Sequence, residues 1–161
     1  MKEVDMTSYW VLSSYSLDNI RRAHERLMWG FTDPTIKKEE KYVKNWRDFI
    51  KSYNKISLGD IMTFQLFKEK RYYIHGLSVV QEKFYDDETL IWDDEVKYGH
   101  VIYPWRVRFG LMLYSESPIL ELAVPTHEYV AGYGIGKLSR GDLETIIQSL
   151  EKSTSLKVKF I

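Results

Sequence analysis

Apolar positions recur along the chain with two different periods, and the switches between them divide it into elements. Tyr9 to Ser13 is a short aromatic and aliphatic run, the pattern of a buried strand. Leu17, Ile20, Ala23, Leu27 and Met28 then fall at helical spacing behind Ser16, a residue type that caps helix N-termini, with Asp18 in the first turn where the helix dipole favours negative charge. This pattern predicts a helix running up to the Trp29-Gly30 pair, with Arg21, Arg22 and Arg26 mostly off its apolar face. Residues 33 to 54 are highly charged but place Tyr42, Val43, Trp46, Phe49 and Ile50 at roughly helical spacing, predicting a second, loosely packed helix after Pro34.

Strand character follows. Ile56 to Asp60 reads as a turn feeding a strand from Ile61 to Phe67, and the polar Lys68-Glu-Lys-Arg71 links it to a strand from Tyr72 to Val80, so the two are expected to form a hairpin. Residues 82 to 95 hold seven acidic side chains against one lysine, which predicts an exposed loop around Trp92. From Val101 to Tyr114 apolar residues alternate with Arg106, Arg108, Gly110 and Met112, a strand begun or bulged at Pro104. Ile119 to Val124 is expected to be a short strand and Gly132 to Gly136 a loop. Ser139 and Asp142 resemble a capping box ahead of the stripe Leu143, Ile146, Ile147 and Leu150, and Leu156 to Phe160 alternates like an edge strand guarded by lysines. With no internal repeat or linker, residues 1 to 161 read as one domain.

Composition narrows the function classes. Twenty-three basic and 23 acidic side chains cancel, so there is no global field of the kind that drives nonspecific nucleic-acid binding, and an anionic partner must be met locally. The absence of cysteine removes disulfides and thiolate chemistry. No apolar run approaches a membrane span and the N-terminus lacks a signal-type apolar core, so no membrane partner is expected and the location is expected to be cytoplasmic. High Lys, Glu, Ile and Tyr suits a heat-loving source. The 24 aromatic residues are many for this length and supply abundant flat surfaces.

The order of these elements resembles the PUA-like superfamily, in particular its EVE and YTH branches. Ser14-Tyr-Ser-Leu-Asp-Asn19 through Met28-Trp29 is similar to the YTH opening, and Leu58-Gly-Asp60 through Ile74-His-Gly76 to the superfamily's Gly-Asp strand and the strand after it. Tyr103-Pro-Trp-Arg-Val-Arg-Phe109 is similar to the Tyr-Pro-aromatic-basic strand of archaeal EVE proteins. With the tail from Gly136-Lys137 to Leu150, the likeness spans most of the chain, leaving residues 33 to 54 and the acidic loop outside it. The resemblance implies an α+β fold, a PUA-like small, partly open β-barrel of about five to six strands flanked by helices.

It also implies a non-catalytic reader of a modified nucleobase in RNA or DNA, with no cofactor. Residue by residue, Trp29 and Trp92 would be aromatic cage walls, Asn19 would bond the base edge, and Ser13, Ser14 and Tyr15 would lie near the base. The family's lysine before the serine is Ser13 here, which removes one phosphate contact. Arg106 and Arg108, on one strand face, could join Arg21, Arg22 and Arg26 in holding phosphate.

Residue type alone leaves other readings open. Trp29 could be core filling, Asn19 could serve the free N–H groups of the helix start, and each arginine could be solvated surface charge. Seven carboxylates beside a cage wall would repel a phosphate backbone unless the loop points away or binds cations. A hydrolase could use Asp86, Asp87, Glu88, Asp93, Asp94 and Glu95 on a metal ion, but they are contiguous in sequence rather than spaced over rigid elements, and no metal site is expected. His24, His75, His100 and His127 are scattered, and no nucleophile elbow or zinc-hydrolase motif exists. A protein–protein adaptor using residues 33 to 54 is the further alternative. Geometry separates the three: a reader needs Trp29, Trp92 and Asn19 around one concavity, a hydrolase needs converging carboxylates, and an adaptor needs neither.

Overall fold

The computed structural model describes residues 7–124, 127–153 and 155–161; the side chain of His127 lies outside that description. The elements are β1 (Tyr9–Ser14), α1 (Leu17–Arg26), β2 (Met28–Phe31), α2 (Glu40–Lys55), β3 (Ile61–Lys68), β4 (Arg71–Tyr85), α3 (Asp93–Tyr98), β5 (Trp105–Tyr114), β6 (Leu120–Glu121), β7 (His127–Val130), β8 (Ile135–Lys137), α4 (Arg140–Glu151) and β9 (Lys157–Phe160). The strands form one curled mixed sheet in the order β2-β5-β4-β3-β1-β8-β7, with β6 beside β4 and β9 beside β5. Among the described residues only β1 and β3 pair in parallel, Tyr9 opposite Ile61 through Ser14 opposite Leu66. The α+β half-barrel agrees with the expected PUA-like class, and the nine strands among the described residues exceed the five to six expected.

The period-two pattern of the central strands sorts residues between two cores. Trp10 and Leu12 join Met62, Phe64, Val107 and Phe109 inside the curl, closed by Ile20 and Ala23 of α1 and Phe49 and Tyr53 of α2. Val11, Ile74 and Leu77 face the other way, under Leu143, Ile146 and Leu150 of α4. Both helix starts use the predicted caps, Ser16 Oγ accepting from Asn19 N and Ser139 Oγ from Asp142 N. Helix α2 forms in the expected stretch, but it starts at Glu40 rather than directly after Pro34, and its Phe49 is fully buried, so it is an integral wall of the core rather than a loose flank.

Four expectations change. The first helix stops at Arg26 because Leu27 turns left-handed (φ 55°), and Met28 to Phe31 continue as a strand paired with Trp105 to Arg108. The acidic stretch is not a free loop: β4 extends to Tyr85, and Asp93 opens the short helix α3. The glycine-rich stretch is the turn of a β7–β8 hairpin, with Gly132 and Gly134 at positive φ and Gly136 in β8. The expected strand over 119–124 contracts to the two residues of β6.

Asp60 explains why the Leu58-Gly-Asp60 turn matters. Gly59 takes φ +88°. That turn buries the Asp60 carboxylate, which accepts from Ser8 N at 3.0 Å, Ser57 N at 2.9 Å and Trp10 Nε1 at 3.0 Å, tying β1 to the entry of β3. Asp60→Ala would strand these donors, at about 1–3 kcal/mol for each one left buried and unsatisfied. The expected loss is about 3 kcal/mol in chemical denaturation, and a loss below about 1 kcal/mol would show the turn to be dispensable.

Candidate functional site

At one end of the half-barrel the segment after β1, the start of α1, strand β2, the start of α2 and the β7–β8 turn surround a cavity of about 450 Å³. All six residues that the resemblance placed near a base line it: Ser13, Ser14, Tyr15, Asn19, Trp29 and Trp92. The volume lies in the ~300–1,000 Å³ range of small-molecule sites and exceeds what a flat base alone requires. The arrangement can stack a planar group and bond its edges. Among the described residues, no group of three His, Asp or Glu side chains could hold a metal ion.

The two tryptophans do not face each other across a slot. Their ring centroids lie 6.1 Å apart at an interplanar angle of 76°, so they meet edge to face and form a corner. Trp29 is half-buried, its ring also meeting Phe64 at 5.5 Å, and presents the accessible surface. Trp92 is only 2% exposed and forms the floor. Its Nε1 is buried and, among the described residues, without a hydrogen-bond partner. Gly30 makes this corner feasible, because a Cβ there would come within 2.7 Å of Tyr103 O and 2.9 Å of the Trp92 ring.

The polar lining divides into spent and free groups. Ser14 Oγ donates to Ser16 O and accepts from Ser16 N, both at 3.0 Å, so it serves the entry of α1. Ser13 Oγ accepts from Gln65 Nε2 at 2.7 Å, and Ser13 N donates to Gly134 O at 2.8 Å, closing the β7–β8 turn onto β1. Gly134 permits that contact: its φ is +68°, and a Cβ would lie 2.9 Å from Ser13 O. For Asn19, the backbone N–H is the group bonded to Ser16 Oγ, while the side-chain amide lines the cavity without a partner among the described residues. Tyr15 is 86% exposed and touches Phe67 edge to face.

Trp92 and Tyr103 are held by one buried carboxylate. Glu95, wholly inaccessible, accepts from Ile91 N (2.9 Å), Trp92 N (3.3 Å), Ile102 N (2.8 Å) and Tyr103 N (3.1 Å), and its Oε2 lies 3.4 Å from Arg106 Nη2. Arg106, equally buried, donates Nε to Tyr103 O at 3.0 Å and Nη2 to Thr89 O at 2.6 Å, and pairs with Asp86 at 3.1 Å. Tyr103 donates its hydroxyl to Asp94 at 2.6 Å; burial, then that carboxylate, holds its phenol well above the usual tyrosine range.

The phosphate assignments fare differently. Arg106 cannot meet phosphate, because it is fully buried under the 86–104 segment. Arg108 therefore does not share an open face with it and pairs with Glu82, while Arg21 pairs with Asp18 and Glu116, and Arg22 with Glu25 and Asp93. Arg26 is exposed, with no carboxylate within ion-pair distance among the described residues. None of the five lines the cavity. Its cations are Lys37 and Lys41, which lie over the Tyr42 ring at 5.5 and 5.1 Å, Lys37 also 5.4 Å from Tyr103. No feature of the charged stretch 33–54 singled out these lysines, whereas Tyr103 already stood in the Tyr-Pro-Trp run.

The chain is similar to the uncharacterized protein MJ1369 of Methanocaldococcus jannaschii, with 36% identity over 152 residues, covering 94% of this chain and 95% of that protein. No family model matches it. Among solved structures, the Toxoplasma CPSF4 YTH domain in complex with a 7-mer m6A-modified RNA superposes with a TM-score of 0.55 at 11% identity, covering 92% of this chain and 93% of that one. A hypothetical protein from Leishmania major gives a TM-score of 0.51 at 14% identity, covering 91% and 96%. At these identities the likeness establishes the fold.

Two measurements test the support beneath the cavity. Glu95→Ala takes from the buried Arg106 its fully buried carboxylate partner, leaving Asp86 at 3.1 Å, and leaves four N–H groups without acceptors; the expected loss is about 3–5 kcal/mol in urea unfolding. A loss under about 1 kcal/mol would show that the segment is held otherwise. Asp86 titrates in the same network. Burial opposes its charge, but the N–H groups of Glu88 and Thr89 and the Arg106 charge outweigh it and hold the carboxyl below its ordinary 3.8. A depressed folded value means that its contribution is complete above pH 3.8 and fades as pH falls through the folded value. Urea midpoints measured from pH 6 to pH 2 should therefore fall more steeply in wild type than in Asp86→Asn, and parallel profiles would refute the coupling.

Proposed function

The chain belongs to the family of the Methanocaldococcus jannaschii protein and has the EVE/YTH-type PUA-like fold, and from that premise we propose that its cavity binds a modified, methylated nucleobase of RNA or DNA. The observation that carries this reading is the convergence of Trp29, Trp92 and Asn19 on one concavity that, among the described residues, no carboxylate lines. The base stacks on the accessible face of Trp29, Trp92 closes the floor, and the free Asn19 amide bonds the base edge. The Toxoplasma domain of the same fold was solved in complex with m6A-modified RNA, a ligand of this chemical kind. The reader is non-catalytic: it binds and releases its ligand unchanged.

The energetics suit such a task. Taking a base out of a stack costs a few kcal/mol. Stacking on one aromatic side chain returns roughly 1–3 kcal/mol, and a methyl group filling an apolar niche adds roughly 1–3 more. Part of the acidic stretch is turned away from an anionic strand or neutralised, although Asp87 and Glu88 are exposed. Glu95 is turned inward, Asp86 pairs with Arg106, Asp93 with Arg22 and Glu82 with Arg108.

The test is tryptophan-fluorescence titration of wild type and Trp29→Ala with short single strands carrying one methylated adenine or cytosine, against unmodified controls. The expected result is a methyl-dependent quench, with an affinity gain of about tenfold or more, that the folded variant lacks. A folded wild type that no strand quenches at high micromolar concentration would overturn the reading in favour of the adaptor.

A further inference from the structure

The chain carries no net charge, yet the cavity does. Among the described residues its only charged lining residues are Lys37 and Lys41, with no aspartate or glutamate among the others. Lys37 is half-buried and has no carboxylate within ion-pair distance among the described residues. Its ammonium lies between the Tyr42 and Tyr103 rings, 5.5 and 5.4 Å from their centroids. Lys41 also lies over the Tyr42 ring at 5.1 Å, with Glu39 a loose and exposed neighbour at 3.8 Å. Aromatic faces attract a cation without neutralising it, so both ammonium groups keep donors to offer an anion.

The arginines outside the cavity are mostly committed: Arg21, Arg22 and Arg108 to surface carboxylates and Arg106 to the interior. The cavity is also larger than a base alone requires. Resting on the reading of the cavity as a base pocket, we propose that Lys37 and Lys41 form a phosphate subsite, so that the site takes a nucleotide unit, base and phosphate together, rather than a base alone. The phosphate can be a linkage within a strand or that of a free nucleoside monophosphate; the chemistry is the same and the ligands separate the sources. The aromatic corner then reads the base while the lysine pair fixes the sugar-phosphate at the rim, a division between specifying and positioning contacts.

The experiment compares the methylated nucleoside, its 5′- and 3′-monophosphates, and a methylated single strand with and without one neutral methylphosphonate beside the modified base. Titrations use wild type and the Lys37→Met/Lys41→Met double variant, which keeps apolar stems against the rings. In wild type one monophosphate should bind about tenfold more tightly than the nucleoside, an advantage that shrinks with added salt. In the variant that ratio should approach one. For the strand, the slope of log affinity against log salt should shallow by about 0.7 for each lysine lost. A lysine-dependent gain for the monophosphate identifies a free nucleotide as a ligand, and one confined to the strand, abolished by the methylphosphonate, identifies a backbone linkage. If the nucleoside binds as well as every phosphorylated form, or if the folded variant keeps the advantage, the subsite is wrong while the base pocket stands. If no ligand binds, the base pocket itself fails and the subsite with it. Should the variant not fold, the salt dependence of the wild-type ratio still decides, since a ratio indifferent to salt overturns the lysine subsite.

Discussion

The buried pairing of Glu95 with Arg106 is the constraint on which the site depends. Burying two charges costs free energy that mutual attraction repays only when the remaining donors and acceptors are also matched. Here most of them are matched by the chain itself, and Arg106 Nη1 has the Asp86 carboxylate at 3.1 Å. The carboxylate collects the N–H groups of Ile91, Trp92, Ile102 and Tyr103, and the guanidinium caps the carbonyls of Thr89 and Tyr103. A stretch that makes almost no sheet contacts between Tyr85 and Trp105 is thereby folded around one ion pair and laid against β5. The same bonds place Trp92 and Tyr103, so the aromatic floor of the cavity is set by electrostatics inside a segment that composition alone marks as solvated.

A second constraint comes from close backbone approach. Gly30 lets the Trp92 ring and the Tyr103 backbone lie directly on β2, and Gly134 lets the β7–β8 turn reach Ser13. These two contacts bring the far ends of the curled sheet to the mouth of one pocket. Trp29 thus has both roles that its sequence position allows: one part of the indole packs against Phe64 in the core and another faces the cavity.

What could be read from the chain follows from what periodicity encodes. It encodes which face of an element is apolar, and so β1, α1, β3, β4, β5 and α4 were legible, together with the caps at Ser16 and Ser139. It does not encode what covers a face. Arg106 alternates with Trp105 and Val107 as an outward residue should, but the outward face at that point lies beneath the 86–104 segment, and the side chain is wholly buried. Strand β2 was hidden because Met28 continues the helical stripe, while the chain reverses at Leu27 through a left-handed residue that carries no glycine signal. The six residues that line the cavity were singled out by a different route, the order of motifs along the chain, which can bring residues together even where local patterns are ambiguous. Lys37 and Lys41 fall in the stretch that neither route covered.

Charge neutrality of the whole chain and polarity of one cavity are compatible because acids and bases are sorted in space rather than in sequence. Asp93, Asp86 and Glu95, and Glu82 of the acidic stretch pair with Arg22, Arg106 and Arg108 respectively, which in turn removes those arginines from the pool available to an anion. What remains at the cavity is a pair of lysines resting on tyrosine rings, beside flat apolar surface. A ligand matched to that surface must combine a planar apolar body with a compact negative charge a short distance away. Screening by salt acts on the charge and leaves stacking almost untouched, so the two recognition elements can be weakened independently. On the proposed reading, a site built this way separates affinity, which the strand or nucleotide phosphate supplies in part, from discrimination of the base, which rests on packing against Trp29 and Trp92.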